Sequence, residues 1–146
     1  MHDPLDAPEV RLWSAGFSAR PGLLETVAHW VGFTQIMVAV RFFWPTFVEE
    51  QGCVLLPWEF SAETFQAWWE ELSGDCKNIE NAVNHLHLWD VFSSDEIPES
   101  QLVELGQVLA GSWAAALKEQ HESREFDVRF TNEKDDYGPT VSIVSL

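Results

Sequence analysis

The sequence predicts an α+β fold: about four helices packed on a small antiparallel sheet made of two hairpins, at about 46–56 and 124–145. Three observations carry this. Apolar residues recur at helical spacing over 65–72 and 102–117. They alternate with polar ones over 126–131, which is the period of a half-buried strand. Glu49-Glu50-Gln51-Gly52 and the stretch 132–139 supply the turn residues that reverse the chain within each hairpin.

Residues 1–20 carry Pro4 and Pro8 and little periodicity, so they read as a loosely held segment ahead of a single domain over 21–146. Trp13 and Phe17, four apart, fit one short helical turn. The run Leu23–Trp44 is the most apolar in the chain, and the other elements are expected to pack near it. It reads as one helix of about 22 residues, roughly 33 Å long, stopped by Pro45. A strand over Ile36–Phe43, buried on both faces, is the alternative. Ala28, Gly32, Gln35 and Ala39 form a strip of small or polar residues that would let another backbone approach. His29 is expected inside, hydrogen-bonded. Glu25, His29, Gln35 and Arg41 interrupt the run, which argues against a membrane span.

After Pro45, Phe47–Leu56 reads as a short hairpin with Gly52 at positive φ, ended by Pro57. Ser61 suits an N-cap, with Glu63 in the first turn and Phe60 stapled onto Phe65. Phe65, Trp68, Trp69 and Leu72 give the apolar stripe, and Gly74 stops the helix. Asp75 or Asn78 opens the next helix, whose apolar side runs through Ile79, Val83 and Leu86 toward Asp90. Ser93–Pro98 is a polar loop, and Pro98 starts a long helix striped by Leu102, Leu105, Leu109, Trp113, Ala116 and Leu117. Eight Trp and ten Phe are expected to fill the core.

Charge is the most informative bulk property. The net charge is −16, and between Phe42 and Leu117 thirteen carboxylates face one base, Lys77. Such a field repels phosphate backbones and draws in a basic protein, so a basic partner is expected and nucleic acid is not. The same acidity also keeps an aromatic-rich chain soluble. Glu49, Glu50, Trp58, Glu63, Trp69, Glu70 and Glu71 are the candidate partner-binding residues, because exposed aromatics rimmed by acids make a common interface composition.

Asn84-His85-Leu86-His87-Leu88-Trp89-Asp90 is the one stretch with metal-ligand chemistry. His85, His87 and Asp90 are the candidate ligands, although a helix through this stretch would turn the two imidazoles apart. The HExxH spacing is absent, as are a Walker loop, GxSxG and GxGxxG, and no cofactor is expected. Cys53 and Cys76 lack CxxC or metal spacing and read as two reduced, part-buried thiols, with a disulfide between them as the alternative in an exported chain. The opening MHDPLDAPEV is acidic and lacks an apolar h-region, which reads as cytoplasmic.

The functional expectation is therefore a non-enzymatic acidic binding protein, of the kind that acts as an immunity or inhibitor protein for a basic toxin or nuclease domain. A metal-assisted hydrolase built on Asn84–Asp90 and a structural homodimer are the alternatives.

Overall fold

A computed structural model describes residues 3–92, 97–132 and 137–146. The fold is α+β, as expected, and the chain divides into two compact units, Met1–Phe42 and Phe43–Leu146. The division falls at Phe42/Phe43 rather than at the expected boundary near residue 20. It also partitions charge. The first unit holds four carboxylates and three Arg, a net −1, which leaves −15 on the second.

The first unit is helical. A 3-10 turn, Pro4–Asp6, leads into α1, Pro8–Ser14. Asp6 Oδ1 accepts from Arg20 Nη2 at 2.7 Å and from Arg11 Nη2 at 3.0 Å. The Arg20 hydrogen bond, with help from Arg11, holds the Asp6 carboxyl below its ordinary range. Trp13 stacks within 4.9 Å of Phe17 and 6.5 Å of Trp30.

The run Leu23–Trp44 is not one helix. It forms α2, Leu23–Trp30, and α3, Phe33–Phe43, bent by 114° at the break between them. Val31 is extended there (φ −103°, ψ 123°), a conformation its β-branched side chain favours, and Gly32 carries no helix propensity to resist the break. Among the described residues no single helix is long and apolar enough to cross a membrane. The run is not the core either. No residue of α3 is buried, and His29 is exposed rather than enclosed.

The second unit begins with the expected first hairpin, its turn shortened to two residues because Glu49 and Glu50 pair within the strand: β1, Val48–Glu50, antiparallel to β2, Cys53–Leu55. Gln51 (φ 49°) and Gly52 (φ 88°) both take the left-handed conformation that a two-residue hairpin turn requires. Then come α4, Ala62–Glu71, and α5, Cys76–Val83. Ser61 Oγ accepts from Thr64 N and Asp75 Oδ1 from Asn78 N, so both expected caps form. Gly74 (φ 74°) ends α4 beneath the Trp69 ring.

The predicted continuation of α5 to Asp90 fails. Asn84 leaves the helical region, His85–His87 becomes strand β3, and a single turn, α6, Leu88–Val91, follows. Helix α7, Glu99–Gln120, buries Leu102, Leu109, Trp113, Ala116 and Leu117 of its predicted stripe and leaves Leu105 half-buried. Strands β4, Phe126–Thr131, and β5, Thr140–Ser145, form the expected C-terminal hairpin. The polar turns expected around 93–96 and 133–136 lie outside the described residues.

The two hairpins do not share one sheet. β1 and β2 stand alone, and the second sheet has the order β3-β5-β4. The reason is at the free edge of β2, which side chains of α5 and its C-cap cover instead of a strand. Asn84 Oδ1 accepts from Leu56 N at 2.9 Å, and its Nδ2 donates to Val54 O at 2.7 Å. Glu80 Oε1 accepts from Val54 N at 2.8 Å. Asn84 O takes the Ile143 N–H of β5 at 3.1 Å, so this one residue joins the two sheets.

The interior is more aliphatic than its composition suggests. Cys53, Leu55, Phe65 and Ile79 form a buried cluster under α4 and α5. Of the eight Trp, only Trp113 is fully enclosed, and the others are half-buried or exposed. Cys53 and Cys76 are bonded to each other, with Cα atoms 5.0 Å apart, and tie β2 to the first residue of α5. The expected pair of free thiols is thereby corrected.

Candidate functional site

The acidic candidates separate into two groups. On α4, Glu63, Glu70 and Glu71 are exposed, because the opposite side of the helix carries Phe65, Trp68 and Trp69 into the core cluster. Glu70 accepts a hydrogen bond from Gln66 Nε2, which leaves its charge uncompensated. Glu59 and Asp75 flank the helix, so residues 57–75 present five exposed carboxylates and no base. Trp58, 40 % exposed, leans on Trp113 at 5.7 Å and offers an apolar edge at one end of this face.

The other candidates are less free. Glu49 faces His121 Nδ1 at 3.7 Å and Arg124 Nη1 at 3.9 Å. Glu50 is only half-exposed, and Trp69 is half-buried against Phe65 and Gly74. Arg124 itself reaches inward. It donates to Gly52 O at 2.8 Å and Ser145 Oγ at 3.0 Å, and lies 3.9 Å from the fully buried Glu80. Glu80 also accepts from Ser145 N and Ser145 Oγ. This carboxylate is a structural acceptor that satisfies β2 and β5 together.

The histidine stretch differs most from its expectation. As a strand, β3 sends His85 and His87 to the same face, with ring centroids 5.0 Å apart, while Leu86 points into the core. β3 pairs with β5 so that His87 lies opposite Thr140. His87 Nδ1 is 2.8 Å from Thr140 Oγ1, and Tyr137 packs edge-on against the His87 ring at 5.2 Å. Trp89 continues the aromatic row, 6.0 Å from Tyr137, and lies over Gly138. Asp90 is exposed on α6 and does not join the pair. Among the described residues no three His, Cys, Asp or Glu side chains gather into a metal-ligand set.

No family model, curated protein or solved structure matches the chain. The side chains that matter most to these surfaces and were not singled out from the sequence are Thr140, Tyr137 and Arg124. Only the strand assignment of 85–87 could have found the first two, since the β3–β5 register brings them to the histidines. The Leu-x-Leu frame around His87 alternates with period two, which is the one local signal for it.

Proposed function

We propose that the protein is a non-enzymatic binding protein that presents the acidic face of 57–75 to a basic protein, in the manner of an immunity or inhibitor protein that covers a basic toxin or nuclease domain. One observation carries the reading: five exposed carboxylates without a base, on one helix and its flanks, beside the half-exposed Trp58. An excess of like charge on one segment favours a cationic partner, which relieves the repulsion among them. The apolar edge of Trp58 supplies the kind of aromatic anchor that dominates interface energetics.

The experiment is co-purification from the native host, with the wild type and a Glu63→Lys/Glu70→Lys/Glu71→Lys variant run in parallel. A basic protein retained by the wild type, released by moderate salt and missing from the variant supports the reading. A partner held equally by both, or none, overturns it. The Cys53–Cys76 bond supports an oxidising compartment, where disulfides persist, over the cytoplasmic setting expected from the sequence.

A second reading rests on α2 and α3. Phe33, Met37 and Val40 follow one another at helical spacing and are exposed, as are Leu23 and Leu24. So many exposed apolar side chains on two short helices are the kind of surface that another chain covers. The unit that carries it is nearly neutral, so a second copy meets little repulsion there. Light scattering tests the homodimer: Phe33→Asp/Val40→Asp converts a dimer to a monomer, and a wild type monomeric at every concentration ends this reading.

A further inference from the structure

We propose that His85 and His87 form a two-histidine binding site for a divalent transition cation that favours nitrogen ligands, such as Zn²⁺, Ni²⁺ or Cu²⁺, with the remaining coordination positions open. The acidic-face reading neither requires this site nor uses its residues.

The first argument is distance. A metal–nitrogen bond is about 2.0–2.1 Å and a ring nitrogen lies about 1.1 Å from its ring centre, so two imidazoles on one tetrahedral ion have centroids about 5 Å apart. The observed separation is 5.0 Å. It comes from the strand: residues two apart share a face, and β3 is held by its ladder to β5.

The second argument is the tautomer. Thr140 Oγ1 owns one proton, and it donates that proton to Gly138 O at 2.9 Å. At 2.8 Å from His87 Nδ1 the hydroxyl must therefore accept, which puts the ring proton on Nδ1. The Nε2 lone pair is then left for a cation. A ligating His whose other nitrogen donates to a fixed oxygen is the usual arrangement around bound metals, because it orients the ring and strengthens its basicity. Thr140 is buried, so its hydroxyl does not wander. Tyr137 stands perpendicular to the His87 ring, at 84°, and hinders its rotation.

The third argument is access. Both histidines are half-exposed, so a hydrated ion reaches them without unfolding anything. A surrounding chain of net −16 raises the local cation concentration. Two imidazoles without a carboxylate select against Mg²⁺ and Ca²⁺, which demand oxygen ligands.

The test is calorimetric titration of Zn²⁺ into the metal-free full chain at pH 7.5, with nitrogen NMR of the imidazoles. The expected result is one equivalent bound, unaffected by excess Mg²⁺, with the His87 Nε2 resonance shifted and its Nδ1–H retained. His85→Ala and His87→Ala each weaken binding more than about tenfold, and the near-isosteric Thr140→Val weakens it about 10–100-fold, as loss of a ligand's orienting partner does elsewhere. His29→Ala, on α2, leaves binding unchanged. Circular dichroism and melting confirm that the variants stay folded. Zn²⁺ binding that survives both His85→Ala and His87→Ala overturns the proposal. So does the absence of a saturable equivalent in the wild type, or an Nε2–H tautomer at His87.

Discussion

Asn84→Ala is the substitution that most directly tests why the two sheets stay separate and yet joined. The amide side chain supplies both groups that β2 would otherwise obtain from a neighbouring strand. It accepts from Leu56 N and donates to Val54 O while fully buried. Alanine leaves that N–H and that C=O enclosed without partners, at about 1–3 kcal/mol apiece. A further contribution comes from the space vacated beside them, so the total is about 3–5 kcal/mol. In a chain of this length each kcal/mol lowers the midpoint of thermal unfolding by about 2–4 °C, so a drop of roughly 10 °C is expected. Chemical denaturation of the wild type and Asn84→Ala, followed by circular dichroism, measures it. Asn81→Ala, on the exposed side of α5, serves as control and stays within about 0.5 kcal/mol. Asn84→Asp sharpens the case. The carboxylate still accepts from Leu56 N but confronts the Val54 carbonyl, so its folded pKa rises above the unfolded value of about 3.9. A group shifted that way is best tolerated while protonated. Its deficit is small below the unfolded pKa and grows as pH rises through the folded one. An Asn84→Ala loss below about 1 kcal/mol, or an Asn84→Asp deficit flat in pH, refutes the edge-covering role.

Three further predictions follow from the same geometry. The native protein titrates no free thiol under denaturing, non-reducing conditions, and Cys53→Ala/Cys76→Ala lowers stability by about 3 kcal/mol, the chain-entropy value for a loop of this size; two free thiols in freshly isolated protein contradict the bond. Gly138→Ala forces a Cβ to within 2.5 Å of the Trp89 ring at a φ of 75°, and costs about 1–3 kcal/mol in denaturant unfolding; it also weakens Zn²⁺ binding, because Gly138 O orients Thr140. Asp6 titrates below an ordinary Asp because of Arg20 and then Arg11, so its contribution to the first unit is present above the unfolded pKa and fades as pH falls through the lowered folded one; carbon NMR of the Asp6 carboxyl shows the shift, and Arg20→Ala returns it toward the ordinary value.

Helix boundaries were legible wherever local chemistry decided them. Ser61, Asp75, Gly74 and Pro98 each act within one turn of their own position, and the structure uses all four as the sequence implies. The twenty-two-residue α7 was legible for a related reason, since its stripe repeats often enough to fix its buried side. What the sequence concealed depends on distant partners. Asn84 ends α5 because its side chain is drawn to Leu56 and Val54, some thirty residues away, and its carbonyl to Ile143. Once Asn84 is committed, Leu86 has to enter the core from a strand, and the histidines on either side are carried to one face. The candidate site is thus a by-product of closing β2's free edge, and the short Leu86-His87-Leu88 alternation is its only trace within 84–90. The aromatic content misled in the opposite direction. Trp and Phe are large enough to be expected inside, but an indole packs well with one face covered. Trp58 on Trp113 and Trp89 over Gly138 do this, leaving aliphatic side chains to fill the centre. Half-exposed indoles set among uncompensated carboxylates combine apolar area with charge at the surface, and that combination is what a cationic protein would find on approach.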